Sequence, residues 1–214
     1  MKKYIALLAV FLSAVGYIAV NFANGGTGVG ANSSLIPVET SAFSLAELKE
    51  GLAPHKYIKA YVSNVTDGDT LEIKFRNKEY KVRLLCIDTP ESVKAGVDVQ
   101  PYAPEASKLT KKLALHKNVR LVFEKGLRDR YGRLLAYIIM DNGDNLNALL
   151  VRNGYARVEF VSPNKKYREY FLKLQSQAIQ DRVGMWALDT KKQPFVKDSG
   201  GNYIPRYWET QEAS

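Results

Sequence analysis

Histidine and cysteine are nearly missing from this chain: its 214 residues include two histidines, His55 and His116, and one cysteine, Cys86. A lone cysteine cannot close an intramolecular disulfide, so stability has to come from packing, and no cysteine near the N-terminus could carry a lipid. Neither histidine sits at a spacing that suggests zinc. Cys86 lies among apolar strand residues in RLLCID, which reads as a buried, inert thiol and not as a nucleophile. His116 follows a helical stretch and reads as a partner of that helix end. Acidic residues are the minority charge, 22 Asp+Glu against 31 Lys+Arg, for a formal net charge of +9. That balance is compatible with a polyanionic partner and does not by itself require one. The chain shows no internal repeat, and its length suits one sizeable domain with tails.

Charge is also absent from Tyr4 to Phe22, a 19-residue apolar run preceded by Lys2 and Lys3, and no acidic residue occurs before Glu39. A positive start followed by an apolar segment directs export. The run is longer than a usual signal-peptide core and close to the roughly 20 residues that span a bilayer, so a cleaved signal and a retained membrane anchor both stay open. In either case the protein is expected to work outside the cytoplasm, secreted or held on the outer face of the membrane. The expected boundaries are a signal or anchor over 1–23, a linker over 24–53, a folded domain over 54–189 and a polar tail over 190–214, whose Tyr203, Tyr207 and Trp208 could still dock. Within the linker, Ser44 and Glu47 stand at capping-box spacing before Gly51, which predicts a short peripheral helix.

From Tyr57 the pattern alternates as β-structure does. YIKAYVSNV, DTLEIKF and EYKVRLLCI form a three-strand meander broken at TDGD and RNK, and NVRLVFEK and RLLAYIIM supply two more strands. Helical spacing appears over residues 104–115, in NLNALLVRNG ending at Gly154, and in YREYFLKLQSQAIQDRVGMW. The order predicts an α+β fold, a five-stranded Greek-key β-barrel of the OB type with about three helices packed on it.

Carboxylates collect where this chain turns. Asp67 and Asp69 flank Gly68 between the first two strands, and Asp88 and Glu91 flank Thr89-Pro90 where the third strand ends, five residues after Arg83. Alone, DGDT is an ordinary turn and DTPE a turn or helix start. Paired at one barrel end, they offer hard oxygen ligands suited to Ca²⁺ or Mg²⁺, with Glu91 near enough in sequence to act on water and Arg83 able to grip phosphoryl oxygens. Alternation does not bring them together, because a five-residue spacing puts Arg83 and Asp88 on opposite strand faces unless a bulge intervenes. A second basic site, RDRYGRLLAY, reads on its own as a basic turn in which Gly132 supplies the unusual backbone angle. Lysines 108, 111, 112, 165 and 166 read most simply as solvated faces, able also to draw in a polyanion.

DGDT, RLLCIDTPE, PYAPEA and DRYGRLLAY, in this order and at these distances, resemble the staphylococcal thermonuclease (micrococcal nuclease) family over approximately Lys56 to Trp186. The resemblance implies an OB-fold barrel with three helices and a Ca²⁺-dependent nuclease that cuts DNA and RNA, in single-stranded or frayed regions, to 3′-phosphate ends as a monomer. It further implies that Asp69, Asp88 and the carbonyl of Thr89 hold the calcium with Asp67 behind them, and that Glu91 acts on the attacking water. Arg83 and Arg133 would bind the phosphate and stabilise the five-coordinate transition state, while Arg130, Tyr131 and Phe160 would contact the nucleotide. RVEFVSPN departs from the family's two pocket tyrosines, leaving Phe160 a stacking face without a hydroxyl and Ser162 in place of the second ring. The competing expectation is a surface OB-fold module that binds nucleic acid without cutting it.

Overall fold

The computed structural model describes residues 57–208, apart from 93. The N-terminal apolar run, the linker with its short helix and residues 209–214 lie outside the described residues. Among the described residues no helix is long and apolar enough to cross a membrane.

Strands β1 (Tyr57–Val65), β2 (Thr70–Phe75) and β3 (Lys78–Leu84) form the meander that alternation predicts. Ile58, Ala60 and Val62 point inward from β1, and a register shift between Val62 and Asn64 lets Val65 turn inward as well. β5 (Asn118–Val122) and β6 (Leu134–Met140) complete a closed barrel in the order β1-β2-β3-β6-β5, with β5 also paired to β1. Closure removes every sheet edge from this layer. The β3–β6 pair is parallel and the other four are antiparallel. This is the expected five-stranded OB barrel.

β6 does not alternate: all seven of its residues are buried. One face looks into the barrel and the other is covered by α2 (Leu146–Arg152). Buried Asn147 fastens that helix to the sheet, accepting from the Ile138 N–H at 3.0 Å and donating to the Leu85 carbonyl at 2.9 Å. Each fully buried Leu or Ile in this layer contributes about 1.5–3 kcal/mol.

α1 (Ala103–Ala114) begins one residue earlier than its spacing predicts, with Pro near its start and Glu105 in the first turn. It presses on the DGD turn. Thr110 donates to the Gly68 carbonyl at 2.6 Å, and a Cβ built on Gly68 would meet Ala106 Cβ and Thr89 Cγ2 at 2.8 Å. Gly68 is needed for space and not for a left-handed angle, which is a different reason from the turn chemistry its sequence suggests.

The third strand ends at Leu84, before the RLLCI run does. Cys86 has φ +64°, and after this break Ile87 and Asp88 form a two-residue strand, β4, paired with β7 (Arg157–Val158) in the register Asp88↔Arg157. α3 (Arg168–Gln180) is shorter than its sequence pattern, since the chain leaves the helix at Asp181 and makes a separate 3₁₀ turn over Gly184–Ala187. Residues 190–208, assigned to a tail from composition, carry a second 3₁₀ turn and a hairpin of β8 (Phe195–Lys197) and β9 (Tyr203–Pro205). Phe195 is 1% exposed, and Tyr203 packs on Trp186 with ring centroids 4.7 Å apart.

Candidate active site

The site forms where the barrel strands turn. Thr70 and Arg83 are register partners at the start of β2 and the end of β3, so the DGD turn and the Arg83 side chain share one barrel end. The kink at Cys86 then brings Asp88 back. The result is a pocket of about 170 Å³ lined by Asp67, Asp69, Arg83, Asp88, Glu91 and Arg133, with Thr70, Thr89 and Pro90 completing its wall. Four carboxylates face two guanidinium groups there.

Arg83 is the hub. Its Nη2 donates to Asp88 Oδ1 at 2.9 Å and reaches Glu159 at 3.4 Å, while Nη1 ion-pairs with Asp69 Oδ2. Opposite strand faces, the expectation from spacing, are thus corrected: the left-handed residue at Cys86 breaks the alternation and the two side chains meet. Nη1 is buried against Asp69, which is its partner in the pocket. Asp69 is 5% exposed and takes the Thr89 N–H at 2.7 Å, the Thr89 hydroxyl at 2.9 Å and the Thr70 hydroxyl at 3.1 Å. Burial pushes its acidity one way, but the Arg83 charge and the Thr89 donors prevail and hold it below the usual carboxylate range. Asp67 behaves oppositely. Burial first, then the neighbouring Asp69 charge, push its pKa up to about 7. Asp88 is raised to about 6, chiefly by burial and against the pull of Arg83.

A carboxylate whose folded pKa lies above its unfolded value binds an extra proton in the folded state, so stability falls as pH rises from about 4 towards 7. Asp67→Asn keeps an oxygen to accept the Asp69 N–H, a 3.1 Å bond, and removes the charge. With chelator present, its midpoint at pH 8 is expected to exceed that of the native protein by a few degrees, and the difference to vanish near pH 4. Scanning fluorimetry across this range checks it; equal midpoints at pH 8 would mean that ionising Asp67 in its buried place beside Asp69 costs nothing.

Glu91 is held at its backbone by Gln100, whose side chain accepts the Glu91 N–H at 2.8 Å while the Gln100 N–H donates to the Glu91 carbonyl at 2.9 Å. Its Oε1 accepts from the Ser92 and Lys94 N–H groups at 3.0 and 2.9 Å. Arg133 comes from the basic turn. Asp129 organises that turn, taking the Tyr131 and Arg133 N–H groups at 2.9 and 3.0 Å and the Arg133 Nε at 2.6 Å, and Gly132 adopts φ +79°. Arg130 and Tyr131 do not line the pocket. Tyr131 is 69% exposed, with the Arg130 guanidinium 4.8 Å and that of Arg133 5.5 Å from its ring. Phe160 lines a neighbouring groove, under Arg168 at 4.7 Å.

Sequence reasoning missed Arg157, Glu159 and Gln100. Arg157 is 5% exposed and donates through Nε to Asp88 Oδ2 at 2.9 Å, through Nη2 to Glu159 Oε1 at 2.7 Å and through Nη1 to the Tyr203 carbonyl at 2.7 Å. The signal was two opposite charges in ARVEF just after a helix stop, which only the Asp88↔Arg157 pairing makes meaningful. Cys86 is 1% exposed and beside the Tyr137 hydroxyl at 3.0 Å, and burial pushes its thiol up to about 12, as an inert core thiol requires. The His116 ring stacks on Tyr61, 6.2 Å away. Among the described residues no group of three or more His, Cys, Asp or Glu is disposed to hold a metal. The expected calcium set has only two carboxylates and a carbonyl, so its test is the charge of the pocket.

The described residues thus form an OB barrel with carboxylates and arginines clustered at one end. The family described as Staphylococcal nuclease homologue matches residues 81–188, and the chain belongs to this family. It is 37% identical to Endonuclease YncB of Bacillus subtilis over 170 residues, 76% of this chain and 78% of that one. It is 40% identical to the Thermonuclease of Staphylococcus hyicus over 126 residues, 59% of this chain and 74% of the other. With the SPbeta prophage-derived endonuclease YokF of B. subtilis it shares 39% identity over 143 residues, 66% of this chain but 47% of that protein.

Proposed function

We propose that this protein is an exported, Ca²⁺-dependent nuclease that hydrolyses DNA and RNA to 3′-phosphate ends, acting as a monomer. The observation that carries the reading is the convergence of Asp67, Asp69, Asp88 and Glu91 with Arg83 and Arg133 on one small pocket. A binding module has no use for four carboxylates at the point where it meets phosphate.

The donor set fits a hard divalent cation. Four carboxylates, all hard oxygen donors, meet two guanidiniums in the pocket, and burial followed by the Asp69 charge holds Asp67 high. Asp69, Asp88 and the Thr89 carbonyl would hold the ion, with Asp67 behind them orienting the Asp69 turn. Bound there, calcium supplies charge neutralisation and favours the ionised form of a water. Glu91 takes the proton from the attacking water, its backbone fixed by Gln100 so that the carboxylate reaches the phosphate from one side. Arg83 lies in the pocket wall with its charge shared among Asp69, Asp88 and Glu159, and its fork is placed to grip phosphoryl oxygens. Arg133 approaches from the separate basic turn and meets the charge that grows on the phosphoryl oxygens. Arg130 and Tyr131, on the exposed turn that carries Arg133, and Phe160, on the adjoining groove, are assigned to parts of the nucleotide outside the pocket. Grip on phosphate and unspecific stacking give tolerance of base and sugar. Export rests on Lys2, Lys3 and the apolar run that follows, whether cleaved as a signal or kept as a membrane anchor.

Purified protein is expected to cut single-stranded DNA with millimolar Ca²⁺ and to stop when chelator is in excess. Glu91→Ala should lower kcat by about a hundredfold or more while leaving the unfolding midpoint within a few degrees. Intact DNA in the presence of calcium would defeat the nuclease reading. Undiminished cutting in excess chelator would defeat the metal assignment, and native rates in the variant the role of Glu91.

A further inference from the structure

A groove of about 540 Å³ lies between α3 and the β8–β9 hairpin, well within the size range of ligand clefts. Lys165, just before α3, and Arg168, at its first residue, stand on one wall, Lys197 on the hairpin wall, and Arg157 and Glu159 line it as well. Glu159 is the one carboxylate among these lining residues, and it is engaged by Arg157 and Arg83. Lys165 and Lys197 therefore face no other acidic side chain among the lining residues, and Arg168 has only a long contact, 3.9 Å, to the exposed Glu169 outside the groove. Phe160 adds a ring face, covered by the Arg168 guanidinium.

This groove is joined to the catalytic pocket. Arg157 and Glu159 line the groove, yet their other contacts are Asp88 and Arg83, which line the pocket. One layer of ion pairs separates the two. The hairpin that makes the outer wall is fixed by its main chain: Tyr203 O accepts from Arg157, and Phe195 lies under that guanidinium at 5.2 Å. Both strands of the hairpin lie beyond residues 81–188, the part that matches the family. A larger hollow, lined by Tyr57, Lys59 and Phe75, involves the opposite end of β2 and shares no residue with the site.

We infer that the groove between α3 and the C-terminal hairpin is an extended subsite for single-stranded nucleic acid, in which Lys165, Arg168 and Lys197 hold phosphates of nucleotides flanking the one that is cut. The inference rests on the nuclease reading of the adjoining pocket. Its consequence is length-dependent affinity, because a dinucleotide fills the pocket alone while a longer strand also crosses the groove.

Fluorescence anisotropy in excess chelator, where no strand is cut, measures binding of labelled oligothymidylates. The native protein is expected to bind a decanucleotide at least tenfold more tightly than a dinucleotide. Lys165→Glu with Lys197→Glu should abolish most of that gain and flatten the dependence of log affinity on log salt by about 1.4, roughly 0.7 for each phosphate no longer neutralised. Lys111→Glu with Lys112→Glu, on α1, serves as the control for charge alone and should keep the gain. Retention of the gain in the groove variant overturns the proposal. So does an equal loss in the control, or equal affinity of the native protein for inorganic polyphosphate of matched charge. Calcium is then added to the native protein with the decanucleotide: cutting without a groove effect rejects the subsite alone, and a groove effect without cutting rejects the nuclease reading alone.

Discussion

Arg83→Ala is expected to reduce kcat/KM by about four orders of magnitude and to cost about 3–5 kcal/mol of stability in chelator. Both losses come from one position. The guanidinium side chain is 11% exposed and contacts Asp69, Asp88 and Glu159 at once. Taking it away leaves carboxylates packed together with one positive partner, Arg157, where there were two. Asp67 and Asp88, already raised, would rise further, and part of the cost would be met by taking up protons. On the proposed assignment calcium would replace some of the missing charge, so the variant should regain stability with added Ca²⁺ more steeply than the native protein does, while activity stays lost because the guanidinium that grips phosphate is gone. Thermal unfolding with and without calcium, beside steady-state kinetics, checks both halves. A variant as stable as the native protein in chelator would mean that the carboxylates do not depend on Arg83.

Arg133→Ala is expected to separate the same two quantities, with about a thousandfold lower kcat and no more than about 1 kcal/mol of lost stability. Its turn is held without the guanidinium, because Asp129 still accepts the backbone N–H groups of Tyr131 and Arg133. The ion pair given up is partly exposed, 27% on the arginine side. Arg133→Lys keeps the charge but not the two-pronged donor, and should recover little of the rate. Kinetics on single-stranded DNA together with a denaturant titration distinguish the outcomes; a fall in stability that matches the fall in activity would make Arg133 a structural residue.

Arg83 and Arg133 differ in how much of their role is written in the sequence. The barrel was legible because alternation in β1 and β2 follows directly from one buried face, and the turns at TDGD and RNK punctuate it. β6 was legible as a strand by its apolar run, although its burial on both faces depends on α2, which sequence periodicity does not locate in space. The site was legible as residue types at the right turns. Its assembly was not, because alternation sends Arg83 and Asp88 apart and nothing in RLLCID marks Cys86 as the left-handed residue that reunites them. Arg157 and Glu159 escaped for a related reason. Their importance lies in pairing across the two-residue β4–β7 ladder, a contact between positions 69 apart. The hairpin escaped because its polar residues and glycines read as a tail, whereas its anchors, Phe195 and Tyr203, have to meet Arg157 and Trp186 before they count as core.

The most direct test of a calcium-dependent nuclease at this pocket is the chemistry of the ends it produces. A single-stranded DNA is digested by the purified protein with millimolar Ca²⁺ or with excess chelator, and the fragments are treated with a 3′-phosphatase before being offered to a polymerase for extension. The predicted result is cleavage only with calcium and fragments that extend only after phosphatase treatment, as 3′-phosphate ends require. Cleavage that persists in chelator, or fragments that extend without phosphatase, would contradict it.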